Sequence, residues 1–273
     1  MLYYLNMKLI RAGILIIVFP LLLGVAYGAE EKKIEDFFIL VPVPSYMPET
    51  GWGGVLTGSY LFHPEARDNS TPPSIVQFNS EYTQFRQSEV FLESDYYWKN
   101  NSQYLKFTAE YSKYPDKFFG IGPEAVGSNP ENYTLEYEQI WLEFYKKVFM
   151  DLHVGARWIY QNSNLLETAP GGSLASGSIT GTKGGRDSGL GILAKWDTRD
   201  NVYFSMSGDY HQLAVEFFGP AIGGDHSFIR YEADLRHFFR IADAHCIALQ
   251  GYLYSESGRP PFYLLDTMGA NCL

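Results

Sequence analysis

A hydrophobic period of two, sustained over long segments, constrains this chain more than any other feature of its sequence. In segment 88–99, Val90 and Leu92 fall on one face while Glu93 and Asp95 fall on the other. Successive side chains of a β-strand point to opposite faces, whereas an α-helix repeats its apolar residues about every 3.6 positions. The same alternation recurs along most of the chain after residue 36. The sequence therefore predicts an all-β protein whose strands carry one apolar and one polar face.

About eleven strands are predicted by this alternation, and most of them have ten or more residues. Strands of soluble proteins usually have about five or six residues, whereas a tilted strand that crosses a bilayer needs about nine to eleven. The expected fold is therefore a transmembrane antiparallel β-barrel. A soluble β-sandwich or a lipocalin-like barrel is the alternative, and it would have shorter strands and an apolar interior. The predicted strands are 37–44, 52–62, 75–85, 89–99, 103–113, 133–146, 149–161, 188–197, 208–218, 227–239 and 245–255.

The predicted connections differ in length between the two ends of the strands. Two of them, Tyr114–Asn132 and Asn162–Asp187, are long and rich in Gly, Pro, Ser and Asn. Outer-membrane barrels have short turns on one side, longer loops on the other, and aromatic girdles at both interfaces. The aromatic residues at 96–98 and 238–239 lie near strand ends, where such girdles would place them. The short connections are Lys99–Ser102, Lys146–Phe149, Asp197–Ser207 and Ile241–Ala244, with 63–74 as a longer exception on the same side.

The first 28 residues are predicted to be a secretory signal peptide. Lys8 and Arg11 precede an apolar run, and small residues then lead to a cleavage site between Gly28 and Ala29. This order of a basic, an apolar and a small-residue region is typical of export signals. A transmembrane anchor is the alternative, although a spanning helix needs about 20 apolar residues, more than the run provides. Cleavage would leave a short N-terminal segment, 29–36, followed by the barrel region, 37–273.

Composition excludes several classes of function. The net charge of −10 opposes nucleic-acid binding, because phosphate backbones require a basic surface. Aromatic residues make up 16% of the chain, which argues against disorder. The two cysteines, Cys246 and Cys272, offer no zinc-ligand spacing, and no serine-hydrolase, zinc-protease or phosphate-loop motif occurs. Asp151 and His153 share a strand face but lack a third ligand, so neither a metal nor another cofactor is expected.

Three short motifs follow one another along the predicted barrel region. They are Pro48-Glu49-Thr50-Gly51, Asp197-Thr198-Arg199-Asp200 and Pro261-Phe262. Together they resemble the carboxy-terminal barrel of the bacterial surface antigen family, the BamA/TamA type of outer-membrane protein. The resemblance covers roughly residues 40–273 and implies a structural role for the motif residues. The second motif is interpreted as a tight turn, because Asp and Thr side chains bond to nearby backbone and Arg199 can pair with a carboxylate.

The resemblance also implies a barrel of sixteen strands. In that family the loop after the eleventh strand carries an Arg-Gly-aromatic tip that folds back into the lumen. The sequence reaches Leu273 without such a tip, so an incomplete C-terminus and five further strands are expected. Family members that insert or export proteins carry periplasmic POTRA domains before the barrel, and segment 29–36 is too short for one. Protein-assembly activity is therefore not expected of this chain.

The expected function is that of an integral barrel in the outer membrane of a Gram-negative cell, with a structural or passive pore role and no catalysis. Its partners would be outer-membrane lipid and the barrel-assembly machinery that inserts it, with no nucleic acid and no periplasmic docking domain. The acidic inner face is interpreted as a solvated wall, with a cation-selective lining as the alternative. Two other functions stay open: a barrel enzyme that acts on lipids through a Ser/His pair, and a binding module built on the two long loops.

Overall fold

The computed structural model describes residues 36–47, 50–64, 71–122 and 130–265. These residues form one sheet of eleven strands, each antiparallel to its neighbours in sequence, which confirms the predicted all-β fold. The predicted signal peptide with its cleavage site at Gly28 and Ala29, the motif residues Pro48 and Glu49, and the predicted incomplete C-terminus lie outside the described residues. The strands are β1 (Phe37–Met47), β2 (Gly51–Phe62), β3 (Ser74–Thr83), β4 (Ser88–Trp98), β5 (Gln103–Phe118), β6 (Glu131–Phe149), β7 (Leu152–Thr168), β8 (Gly185–Asp197), β9 (Gly208–Phe218), β10 (Phe228–Ala242) and β11 (His245–Gly258).

Helical structure in the described ranges is limited to two three-residue 3-10 turns, Pro220–Ile222 and Phe262–Leu264. No helix in these ranges is long and apolar enough to cross a membrane.

Several strands extend further than the sequence predicts. Strand β6 has 19 residues and β7 has 17, because strand pairing continues to Tyr133 and Thr168, the second of which lies in the segment Asn162–Asp187 that was predicted to be a loop. The predicted connection Lys146–Phe149 is wrong, since these residues belong to β6 and the turn lies at Met150 and Asp151. Met150 takes a positive φ of 45°, which lets the chain reverse within two residues. Both strands are longer than a bilayer crossing requires, so they extend beyond it at one end.

The two faces of the sheet are the reverse of those in a soluble protein. On the outer face, Ile192 in β8 is 66% exposed and Leu213 in β9 is 53% exposed. The charged residues of the inner face are buried, and Glu216 in β9 and Arg157 in β7 are 0% and 3% exposed. A membrane barrel requires an apolar outer face, whereas the soluble sandwich considered above would bury its apolar residues. The long alternating strands therefore carry their apolar side outwards.

Arginine on the outer face should destabilise the protein in a membrane. We expect Ile192→Arg, in the middle of β8, to lower the free energy of unfolding by about 2–4 kcal/mol, because a guanidinium near the bilayer midplane loses its hydration. Ile121→Arg is the matched control, since Ile121 is 51% exposed but lies beyond the end of β5. Urea titration of the full chain folded into vesicles measures both changes. Equal, small losses at the two positions would contradict a lipid-facing outer face.

Strand β1 forms one edge of the sheet and carries two prolines on its open side. The carbonyl of Trp52 in β2 accepts a hydrogen bond from the backbone N–H of Gln84 at 2.6 Å, so even-numbered residues of β2 bond towards β3. The backbone N–H and C=O groups of odd-numbered residues of β2 therefore point towards β1, where the register places odd-numbered residues opposite them. The backbone groups of even-numbered residues of β1 point away from β2. The nitrogens of Pro42 and Pro44 therefore face the open edge. Proline is tolerated there because it removes no hydrogen bond from the β1–β2 ladder.

Candidate functional site

Contacts between distant strands show that the sheet curls around an interior. The hydroxyl of Tyr145 in β6 lies 3.2 Å from the side-chain oxygen of Gln212 in β9, although two strands separate β6 from β9. The interior has two ends, which are named here by the connections they carry. The short-turn end carries the described residues 63–64, 71–73, 99–102, 150–151, 198–207 and 243–244, and the long-loop end carries 119–122, 169–184, 219–227 and segment 259–265.

A buried group of charged side chains occupies the middle of the interior. Arg157 in β7 donates from Nε to Glu143 in β6 at 2.8 Å and from Nη1 to Glu232 in β10 at 3.1 Å. The same Nη1 also bonds to Glu216 in β9. One guanidinium thus joins three carboxylates from three strands. A buried arginine is stable only when its charge is paired and its N–H groups are bonded, and these carboxylates pair the charge and bond Nε and Nη1.

A second arginine extends this group towards β11. Arg230 in β10 donates from Nη1 to Glu216 at 3.4 Å and from Nε to Glu256 at 3.2 Å. Its guanidinium also lies 4.9 Å from the ring centre of Phe218 and 5.4 Å from that of Tyr254, so cation–π attraction adds to the ion pairs. We call the two arginines and the four carboxylates the charge cluster: Glu143, Arg157, Glu216, Arg230, Glu232 and Glu256.

The charge cluster changes the interpretation of the acidic inner face. The sequence suggested a solvated wall, and this is wrong for the residues of the cluster. Glu143, Glu216 and Arg230 are 4%, 0% and 5% exposed. Their charges are paired within the cluster, because each carboxylate lies within bonding distance of a guanidinium. The cluster therefore holds distant strands together instead of lining an open channel.

Three stacked tyrosines fill the interior on the short-turn side of the charge cluster. The rings of Tyr97 and Tyr104 lie 4.6 Å apart, and those of Tyr104 and Tyr145 lie 5.4 Å apart. The ammonium group of Lys195 in β8 lies 4.1 Å from the ring centre of Tyr104 and 4.7 Å from that of Tyr145. Tyrosine rings thus hold a buried lysine by cation–π attraction across the interior.

Segment 259–265 folds back into the long-loop end after β11. Phe262 is 7% exposed, and its ring meets those of Phe118 in β5 and Tyr133 in β6 edge-on at 5.6 and 5.4 Å. Its backbone N–H donates to the carbonyl of Thr180 at 3.0 Å, which ties the segment to the loop 169–184. Leu174 of that loop, 2% exposed, belongs to the same apolar cluster. The predicted motif Pro261-Phe262 therefore lies inside the curled sheet, against strands from its other side.

The neighbouring Tyr263 fixes this segment to β8. Its hydroxyl donates to Oδ2 of Asp187 at 2.9 Å, while Oδ1 of the same carboxylate lies 2.8 Å from Nδ1 of His226. Asp187 is 0% exposed, so both of its oxygens need partners. On the other side, the hydroxyl of Tyr254 donates to the carbonyl of Leu264 at 3.0 Å. Segment 259–265 is thus held by polar bonds as well as by apolar packing.

The motif Asp197-Thr198-Arg199-Asp200 lies at the end of β8 and in the turn that follows. Arg199 donates from Nε and Nη2 to the carboxylate of Asp197 at 2.8 and 2.7 Å. The hydroxyl of Thr198 accepts the backbone N–H of Asp209 at 2.9 Å, which closes the turn onto β9. Asp200 accepts a bond at 2.7 Å from Nη2 of Arg240 in β10. All four side chains are therefore engaged within the turn or with adjacent strands.

The remaining motif residues lie apart from both of these groups. Thr50 and Gly51 form the β1–β2 hairpin, where Thr50 is 2% exposed and its N–H donates to the carbonyl of Met47 at 3.2 Å. Gly51 has a φ of +69°, and a Cβ there would lie 2.7 Å from the side-chain oxygen of Gln84. The structure therefore places the three sequence motifs at three separate positions, and they do not form a single site.

The other side chains that the sequence raised as candidates are also engaged separately. The ring nitrogens of His153 lie 3.2 Å from the backbone carbonyls of Asp151 and Asn101, and the carboxylate of Asp151 pairs with Lys147 at 3.2 Å. Across the four described ranges, no group of three or more His, Cys, Asp or Glu side chains is arranged to hold a metal ion.

Asp200 should titrate unusually low for an aspartate. Burial disfavours its charged form, but the backbone N–H groups of Met206 and Ser207 and the guanidinium of Arg240 outweigh this and lower its pKa to about 2. A folded-state pKa below the ordinary value stabilises the turn above about pH 4. That stabilisation is lost as the pH falls towards 2. Carboxyl carbon NMR of the full chain in micelles measures the midpoint, which Arg240→Ala should raise. A midpoint at the ordinary aspartate value in the unchanged protein would contradict these bonds.

An apolar outer face, an ion-paired inner face and antiparallel sequential strands together define the wall of an outer-membrane β-barrel. The chain belongs to the Omp85 superfamily, whose domain model matches residues 74–254. This match confirms the family resemblance that the sequence motifs predicted.

The fold is similar to the crystal structure of BamA from Haemophilus ducreyi lacking POTRA domains 1–3, with 16% sequence identity and a TM-score of 0.50. The similarity covers 85% of this chain and 44% of that chain, so this chain spans less than half of the length of its structural relative. A comparison with curated proteins gives no match.

Proposed function

We propose that this chain is a passive wall of an outer-membrane barrel whose interior is closed at the long-loop end by segment 259–265. A signal peptide exports it, barrel-assembly machinery inserts it, and outer-membrane lipid covers its apolar face. No catalytic step and no cofactor form part of this proposal. Solutes enter the interior from the outside only when the segment leaves its position inside the curled sheet.

The position of Phe262 carries this proposal. Its side chain lies between Phe118 and Tyr133, where an open pore would need a free path. The hydrogen bonds of Tyr263 to Asp187 and of Tyr254 to Leu264 hold the segment on both sides of that ring. The segment belongs to the same chain as the wall, so its closing position costs little entropy once β11 is formed. These contacts favour a barrel that is closed at rest.

Labelling of a buried reporter tests the closure. Ser163 in β7 is 1% exposed at the long-loop end, so Ser163→Cys is introduced into a full chain whose Cys246 and Cys272 are replaced by serine. Intact cells are treated with a membrane-impermeant maleimide. We expect slow labelling of the reporter with Phe262 intact. Phe262→Ala should make labelling faster by about tenfold or more, because it weakens the binding of segment 259–265 inside the sheet by at least about 1.4 kcal/mol. Phe119→Ala is the matched control, because Phe119 is 50% exposed in the adjacent loop.

The outcomes separate the parts of the proposal. Fast labelling of the reporter with Phe262 intact would show that the segment does not close the interior. Rapid labelling with Phe119→Ala as well would show that faster labelling does not depend on the packing of Phe262. Fractionation tests the location: the protein should sediment with outer membranes and migrate faster on a gel unheated than boiled. A soluble product without this heat shift would contradict a membrane barrel.

A further inference from the structure

The turn 198–207, between β8 and β9, reaches across the short-turn end of the interior. The hydroxyl of Tyr203 donates to the backbone carbonyl of Pro73 at 2.6 Å. Pro73 directly precedes β3, and four strands lie between β3 and β8 in the sheet. A contact between these two positions therefore spans the interior instead of following its wall. Pairing between neighbouring strands does not bring these two positions together, so the contact depends on the curl of the sheet.

This turn has an internal framework that fixes its shape. The side-chain oxygen of Asn201 accepts the backbone N–H groups of Tyr203 and Phe204 at 2.8 and 2.9 Å. Asp200 accepts the N–H groups of the two residues before β9 at 2.9 and 3.2 Å, and Arg240 anchors its other oxygen. Side-chain acceptors of this kind replace the backbone ladder that a loop lacks. The framework therefore holds Tyr203 in a defined direction.

Two adjacent aromatic residues of the turn have different surroundings. Phe204 is 74% exposed, whereas Tyr203 is half-buried. Burial raises the pKa of the Tyr203 hydroxyl above its ordinary value, and the carboxylates of Asp95 and Glu93 on the inner face of β4 raise it further. Tyr203 thus lies near the inward-facing carboxylates of β4, across the interior from β8 and β9, which its turn connects.

We propose that the turn 198–207 is a strap that closes the short-turn end of the interior, with Tyr203 as the positioning residue that fixes it to Pro73. The strap is a second barrier, in series with segment 259–265 at the other end. It extends the proposed function, which places a closure at the long-loop end only. The motif Asp197-Thr198-Arg199-Asp200 then has a role beyond a tight turn, because its bonds support the strap.

Photo-crosslinking tests where the strap lies. The photoreactive residue p-benzoylphenylalanine is placed at position 203 of the full chain in outer membranes, and at position 204 as the matched control. We expect irradiation to join position 203 to residues 71–74 within the same chain, and position 204 to give no such product. Absence of this product from position 203, or equal yields from both positions, would overturn the assignment of Tyr203.

Solute flux tests whether the strap is a barrier. The full chain is folded into vesicles that contain a small fluorescent dye, and folding is checked by the heat shift on gels. Because the closures act in series, Phe262→Ala alone and Tyr203→Ala alone should leak at nearly the rate of the unchanged protein. The two changes together should raise the rate about tenfold or more, whereas Phe262→Ala with Phe204→Ala should not. Tyr203→Phe, which removes only the hydroxyl, should give an intermediate rate in the Phe262→Ala background.

Failure of the strap can be distinguished from failure of the proposed function. Full leakage from Phe262→Ala alone would overturn the strap as a barrier and leave the closure at the long-loop end intact. No increase from the double variant would also overturn it. Fast labelling of the Ser163→Cys reporter with Phe262 intact would overturn only the closure at the long-loop end, because that reporter lies at this end.

Discussion

Removing the guanidinium of Arg157 should strongly destabilise the folded protein. We expect Arg157→Ala to lower the free energy of unfolding by about 3–5 kcal/mol, because it leaves buried carboxylates without a countercharge. Glu143, which is almost fully buried, and Glu232 lose their arginine partner, whereas Glu216 keeps its pairing with Arg230. Urea titration of the full chain in detergent micelles, followed by tryptophan fluorescence and by the heat shift on gels, measures the loss.

Arg186→Ala provides the control for this experiment. Arg186 pairs with Asp225 at 3.4 Å, but both side chains are about half exposed, so the pair contributes about 0–1 kcal/mol. A further variant, Arg157→Ala with Glu143→Gln and Glu232→Gln, should recover part of the stability because it removes the two carboxylate charges that lose their arginine partner. If Arg157→Ala and Arg186→Ala cost the same, the charge cluster does not stabilise the interior.

Replacing the central tyrosine of the stacked group should have an effect of similar size. Tyr145 is 0% exposed, stacks on Tyr104 and lies beside the ammonium of Lys195. We expect Tyr145→Ala to lower the free energy of unfolding by about 3–5 kcal/mol, since it leaves a cavity and removes a cation–π contact. The same urea titration in micelles measures it.

The hydroxyl and the ring of Tyr145 can be separated. Tyr145→Phe keeps the ring and removes the hydroxyl with its contacts to Glu143 at 2.8 Å and Gln212 at 3.2 Å, so a loss of about 1.5–3 kcal/mol is expected. Tyr82→Ala is the comparison for the ring, because Tyr82 is 62% exposed and should cost less. A loss at Tyr82 equal to that at Tyr145 would show that the stacked tyrosines have no special weight.

Local periodicity was sufficient to predict the strands and the polarity of their faces. Strand β8 was expected at 188–197 and is found at Gly185–Asp197, and Glu93, expected on the polar face of segment 88–99, is 5% exposed on the inner face. These features depend only on the alternation of neighbouring side chains, which the sequence contains directly. The extra residues at the ends of β6 and β7 depend on pairing between strands, so composition alone assigned them to loops.

The partners of the inward-facing charges could not be predicted in the same way. Arg157 and Glu232 are 75 residues apart, and they meet because the sheet curls enough to bring β7 and β10 together. Alternation shows that both side chains point inwards but contains no measure of curvature. For the same reason the contact between Tyr203 and Pro73 could not be predicted from the sequence. An aromatic residue in a polar turn was the only available signal, and it has no distance information.

The two prolines of β1 have a consequence for self-association of the protein. The run Phe37 to Val41 is apolar and rich in β-formers, and in water a free strand edge of this kind pairs readily with other chains and aggregates. Pro42 and Pro44 remove two successive N–H donors from that edge. A second strand therefore cannot form an uninterrupted ladder along it. The same residues that leave the β1–β2 pairing intact thus oppose self-association of the protein along this edge.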